Sequence, residues 1–441
     1  MADLTARTVV FDVPYCDLAQ APHVLGLTHW GSHDPGVLPA SRPAGLRAEL
    51  DRRFGPYPAT QWIYGFCWPS AAKARAAGAA LARAVEVRAE ATRWLLSERL
   101  PEWDLALVVV SESHSAIEPL WHGVDPSHPL HGVKSSAAAG EALHNVYRAI
   151  DDMIGSLQAS FPDVILTVFA MHGMGPNDGD VPAMVLLPEL LYRASFGKPY
   201  LRPLAYSGAT AEGAPLIGEN AAWENVMLGA VPKPRPPAGW MGRLLERLSR
   251  IRRPGGTTPV PEWLERSGVA WMPAARYGQF WSQMPAFALP AYYDGRVRIN
   301  LRGREARGIV AADHYDRTCE EMIRLIRDCR NLLTGQPAVA EIHRPKKDPS
   351  TVGRSEADLY IVWKSAPLGL KTPHGNIGPV PYRRTGGHTG SRGFLYMAGE
   401  GIAPGEGGAL SSFDVMPTVV DLLGEARPAG MSGVSAAAKL S

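Results

Sequence analysis

The chain predicts an α/β fold: a mostly parallel sheet sandwiched by helices, with a cap or insertion. Three observations predict it. Short strand-like runs, Thr8–Val13, Leu105–Val110 and Asp163–Ala170, are bounded by turn-forming residues. Segments of helical character separate them, and strand–helix–strand alternation marks parallel strands joined by helical crossovers. Residues 185–300 then break that rhythm.

Taken in order, Thr8-Val9-Val10-Phe11-Asp12-Val13-Pro14 reads as a strand ended by proline. Residues 16–70 are rich in Gly, Pro, His and Trp and read as loops with short elements. Ser70 to about Arg99 is rich in Ala, Arg, Leu and Glu, which favours a long helix. Leu105–Val110 is the next strand. Leu143, Val146, Tyr147, Ile150, Ile154 and Leu157 keep the spacing of an amphipathic helix. Asp163–Ala170 returns to strand. Leu186–Ser195 is a short helix, and Lys233-Pro234-Arg235-Pro236-Pro237 a stiff connector. Trp240–Arg253 is basic, with Leu244, Leu245, Leu248 and Ile251 on one face. Such a helix packs on its own domain or touches a membrane or partner protein. The α/β rhythm resumes with a strand at Arg296–Leu301 and a helix at His314–Leu333. Strands follow at Asp358–Trp363 and Phe394–Ala398, then a helix at Asp414–Leu423 closed by Gly424. Residues 1–184 and 301–441 are thus expected to form the core, and 185–300 the cap.

The hydrophobic fraction of 46% in 441 residues is ample for a sizeable core. A formal charge of +2 argues against a broad nucleic-acid-binding surface. Cys16, Cys67, Cys319 and Cys329 include no Cys-x-x-Cys pair, against a zinc ribbon or thioredoxin-like site. They are expected as free thiols of a reducing compartment. No apolar run reaches the roughly 18 residues of a membrane span, and no signal-peptide core follows Met1. A cytoplasmic protein is therefore expected.

The chemistry concentrates at strand ends. Ser111-Glu112-Ser113-His114-Ser115-Ala116-Ile117-Glu118-Pro119-Leu120-Trp121-His122 follows the Leu105–Val110 run. Open α/β sheets place ligands at the carboxyl ends of their strands. His114 and Glu118 lie four apart, so on one helix face they can share an ion, and His122 follows at the same interval. Imidazole with carboxylate suits zinc, manganese or iron. His172 sits among the glycines of Met171-His172-Gly173-Met174-Gly175, beside Asn177 and Asp178. His388 lies in Thr385-Gly386-Gly387-His388-Thr389-Gly390, flanked by Arg383, Arg384 and Arg392, guanidinium groups suited to a small anionic substrate. His374 and the pair His33 and Asp34 are weaker candidates.

The order of these segments resembles the alkaline phosphatase superfamily, in its bacterial phosphodiesterase and sulfatase-like branch. The resemblance rests on Val9–Pro14, Ser111–His122, Phe169–Gly175, and the run from Gly386-Gly387-His388 through Gly399-Glu400-Gly401-Ile402 to Asp414–Thr418. Ile299–Glu305 fits it too. It implies a metal-dependent hydrolase of phosphate or sulfate esters holding two ions, often zinc. By position, His114 stands where the family has Asp, Glu118 where it has His, and His388 matches a third ligand of the first ion. His172 matches one ligand of the second ion, or acts as general acid/base. Met171 replaces the aspartate beside it. The family's nucleophile region precedes the strand matched to Thr8–Val13, so it is expected to be missing and attack to fall to an ion-activated water. Two alternatives stay open: a diverged, non-hydrolytic member that binds a ligand or partner protein, and a two-His-one-carboxylate iron site for oxygen chemistry.

Overall fold

The computed structural model describes residues 4–31, 38–63, 70–177, 179–219, 221–232 and 269–437. Their contacts divide them into two units, the first holding described residues up to 176 together with 386–437, the second 177–385.

The first unit begins with β1 (Thr8–Phe11) and β2 (Val24–Leu27), paired in parallel. The two-residue β3 (Ser41–Arg42) adds antiparallel to β2. Helices α1 (Leu46–Phe54) and α2 (Ala71–Trp94) follow. β4 (Leu105–Val108) then runs parallel to the other side of β1, from Thr8↔Leu105 to Phe11↔Val108. Both strands therefore leave the sheet at one edge, Asp12 from β1 and residues 109–111 from β4. Ser70 caps α2, its hydroxyl accepting from the Lys73 amide. The helix buries Ala74, Ala77, Leu81, Ala84, Arg88 and Ala91, a stripe with spacings of three and four. Ala74, Leu81, Ala84 and Ala91 share one core with Ala138, Ala139, Ala142, Leu143 and Val146 of α4 (Ser136–Ser160). Between them, α3 (Glu112–Leu120) buries Ala116, Ile117 and Leu120 in the same core.

The remaining strands of this unit depart from the parallel expectation. β5 (Leu166–Ala170) pairs antiparallel with Phe394–Ala398. β6 (Gly173–Pro176) pairs antiparallel with Gly386–Gly390. Among the described residues the parallel part of the fold is thus the β2-β1-β4 core of one small sheet, and the other sheets of this mixed α/β protein are antiparallel. An apolar run marks a strand and says nothing of its neighbour's direction, which is why the run at β5 suggested a parallel partner.

In the second unit an antiparallel sheet runs in the order Val339–His343, Leu359–Trp363, Gly295–Ile299, Ala286–Ala288. Leu359, Ile361 and Trp363 are buried while Tyr360 and Val362 are not, the alternation of a sheet covered on one face. This pairing ties residues on both sides of position 300, so 301–385 cluster with the described residues of 177–300. Leu187–Phe196 is a helix closed by Gly197 at φ 67. The helix expected over His314–Leu333 spans Tyr315–Arg327, because Arg330–Asn331 is drawn into a ladder with Leu370–Lys371.

Cys16, Cys319 and Cys329 are free thiols. Among the described residues no helix is long and apolar enough to cross a membrane. Cys67, His33, Asp34, Asp178, Lys233–Pro237 and Trp240–Arg253 lie outside the described residues.

Candidate metal centre

The site is built on α3. Its first residue, Glu112, is fully buried and bound by Arg88 of α2, with Nη2 2.8 Å from Oε1. Arg88 Nη1 also donates to Asp12 Oδ2 at 2.9 Å, and all three side chains are fully buried. Asp12 accepts two further bonds, from the Trp30 and Gly31 amides at 2.7 and 2.8 Å. It adopts the left-handed backbone region at φ 58. The Phe11 and Trp30 rings lie 5.0 and 5.1 Å from the guanidinium carbon. Burial works against the Arg88 charge, but Glu112 and Asp12 outweigh it and raise its pKa. This network pins the start of α3 to the edge of the parallel sheet.

One helical turn separates His114 from Glu118, so both project from one face. Glu118 is fully buried, and its Oε1 lies 3.4 Å from His114 Nε2. The Gly386–Gly390 strand passes directly over this face. A Cβ on Gly386 would stand 2.4 Å from the Ile117 carbonyl oxygen, so only glycine permits the approach. Two residues on, His388 Nε2 lies 2.6 Å from His114 Nε2, the ring centroids 4.5 Å apart. The other nitrogen of His388, Nδ1, is 3.0 Å from His172 Nε2. His172 is exposed, and its Nδ1 lies 3.0 Å from the Gly173 carbonyl oxygen. His114, Glu118, His172 and His388 thus converge in the first unit from three separate stretches of sequence.

The donor set has the chemistry of a zinc, manganese or iron site: imidazole nitrogens and a carboxylate. Its spacing is tighter than coordination requires. Two nitrogens bound tetrahedrally to zinc at about 2.0–2.1 Å stand about 3.3 Å apart. Among the described residues no three His, Cys, Asp or Glu side chains are posed around one point at ligand distance. The set fits an ion by donor type, and the rings must part by less than about 1 Å to take one.

His122 does not join the cluster. α3 ends at Leu120, after Pro119, and Trp121–Gly123 tighten into a 3₁₀ turn that rotates His122 away. Its Nε2 lies 3.1 Å from Ser135 Oγ. Burial, then the neighbouring His128 and His131, lower its pKa to about 3. Of the three arginines, Arg392 is an exposed residue of the first unit. Arg383 and Arg384 belong to the second. Arg383 is buried, paired through Nη1 with Asp180 Oδ2 at 2.6 Å, and stacked 4.6 Å from Trp271. Arg384 is also buried, and desolvation lowers its pKa to about 9. His374 is exposed on a turn of that unit.

Asp12 and Arg88 escaped the sequence reading as site-building residues. A signal for Arg88 was present: it is the one charged residue in the small apolar stripe of α2. No known protein family, curated protein or solved structure matches the chain.

Proposed function

We propose that the chain is a metal-dependent hydrolase of a phosphate or sulfate ester, phosphodiesterase-like in its chemistry, with His114, Glu118 and His388 holding one divalent ion. A single observation carries this reading: a fully buried carboxylate and two facing imidazoles, 274 positions apart in sequence, meet beside the end of a parallel strand. Zinc is the best match to two nitrogens and one oxygen, with manganese or iron as alternatives.

A bound ion would supply Lewis-acid polarisation of the ester's non-bridging oxygens. The chain's residues do the rest. Glu118 contributes a negative charge inside the fold, where it attracts a cation more strongly than a surface carboxylate does. His114 and His388 contribute neutral donors that shape the site. Arg392 is exposed and belongs to the same unit, which supports it, among Arg383, Arg384 and Arg392, as the group that would hold the anion.

The test is elemental analysis of the purified protein, with assays on p-nitrophenyl phosphate, bis(p-nitrophenyl) phosphate and p-nitrophenyl sulfate. The expected result is one ion per chain and turnover of at least one ester, both lost in Glu118→Ala. One observation favours a second reading. The His114–His388 contact is already a closed hydrogen bond at 2.6 Å, which a ligand-binding, non-hydrolytic relative can keep without an ion. That reading predicts no retained metal after zinc loading and dialysis, and no hydrolysis.

A further inference from the structure

We infer that His172 is a positioning residue, which fixes the tautomer of His388 from outside the ion's coordination and is not itself a ligand. Its effect on ion affinity rests on the metal-centre reading above; the tautomer order does not.

The argument follows the protons. The Gly173 carbonyl oxygen can only accept, so His172 Nδ1, 3.0 Å away, carries the hydrogen. A neutral imidazole has one N–H, which leaves His172 Nε2 with a bare lone pair. That lone pair faces His388 Nδ1 at 3.0 Å, so His388 Nδ1 is the donor. The Nε2 of His388 is then bare too, and it points at His114. A backbone carbonyl thus dictates, through one ring, which nitrogen of the next ring carries the hydrogen and which the lone pair. The carbonyl is itself held in place, because Gly173 pairs with Gly390. A Cβ on Gly173 would meet the Arg392 carbonyl oxygen at 2.4 Å, so the turn cannot easily relax under a larger residue.

The same order removes His172 from the ligand set. Its lone pair is spent on His388, and its neighbour Met171 is an exposed thioether that brings no anionic oxygen. Histidines that bind metals commonly donate their second N–H to a carboxylate, a carbonyl or water, and loss of that partner typically costs 10–100-fold in affinity. Here an imidazole takes the partner's place.

The experiment uses the full chain labelled with ¹⁵N-histidine, metal-free at pH 8, with long-range ¹H–¹⁵N correlation spectra assigned by single substitutions. His172 and His388 should both carry their proton on Nδ1. In His172→Phe, which removes the acceptor, His388 should lose its single Nδ1–H signature. Zinc affinity, read by chelator competition, should fall about 10–100-fold with one equivalent still binding. His172→Gln, whose amide oxygen can accept, should restore most of that affinity. A His388 protonated on Nε2 in the metal-free wild type overturns the inference. So does a His172→Phe protein that binds zinc as the wild type does, or one that loses an ion the wild type holds beyond the first. Should the wild type bind no zinc, the hydrolase reading falls and the spectra alone decide the tautomer order.

Discussion

Two charged clusters hang from the same short helix and solve the problem of burial in opposite ways. At the start of α3, Glu112 joins Asp12 and Arg88 in a network with no solvent exposure, in which a fixed guanidinium answers both carboxylates and two backbone amides complete Asp12. Half a turn later the polar groups are softer. Glu118 is equally buried, yet it faces an imidazole, and the chain of rings leads outward from His114 through His388 to exposed His172. An arginine is always charged and leaves no room for exchange. Imidazoles can give a proton, take one, or bind a cation. The first cluster suits a permanent anchor and the second a place where something comes and goes.

The largest expected effect tests the anchor. Arg88→Met leaves two carboxylates buried without their counter-charge and should cost about 3–5 kcal/mol in urea unfolding. A loss below 1 kcal/mol would mean that water reaches Asp12 and Glu112 and that the contrast is false. Acid titration should show the next effect, through His122. Its pKa is lowered to about 3 in the fold, against 6.5 for a free imidazole. Between those values the unfolded chain holds the proton and the native chain does not. Stability is therefore complete above about pH 6.5 and declines on acidification, with a slope of about 1.4 kcal/mol per pH unit for this one group. Thermal melts of His122→Gln across that window should show a shallower slope than the wild type, and parallel curves would refute the assignment.

A third variant, Gly386→Ala, pushes a methyl against the Ile117 carbonyl and should cost about 1–3 kcal/mol. It should also weaken zinc binding, because His388 moves with the strand. Stability loss with unchanged zinc affinity would separate the strand's packing from the site. The smallest stability effect is expected at Glu118, the carboxylate of the proposed ion site. Glu118→Gln should change unfolding free energy by under about 1 kcal/mol, since sites kept for function are seldom optimised for stability, while ion binding disappears. A cost as large as that of Arg88→Met would make Glu118 a second anchor.

The sequence revealed individual elements better than their partners. The α2 helix, the strand at β4 and the helix at α4 follow from composition and period, because those signals are local. The direction of β5 does not, since its partner lies more than 200 residues away and nothing in either strand encodes orientation. The site divided in the same way. His114 and Glu118 are neighbours by helix spacing, and His388 stood out by its glycines. The close approach at Gly386 explains those glycines physically. His122 misled because spacing cannot show where a helix ends in a tighter turn. Arg383 looked like a free anion receptor, but its partner, Asp180, lies 203 positions away.

The pairing of Pro176 with Gly386 has a practical consequence. The polypeptide departs at one side of an antiparallel seam and returns at the other, so the excursion between them begins and ends at adjacent points. Closing such a gap costs little more for a long excursion than for a moderate one. A tight hairpin spliced from Pro176 to Gly386 is therefore geometrically natural, and His114, Glu118, His172 and His388 all stay on the retained side of the splice.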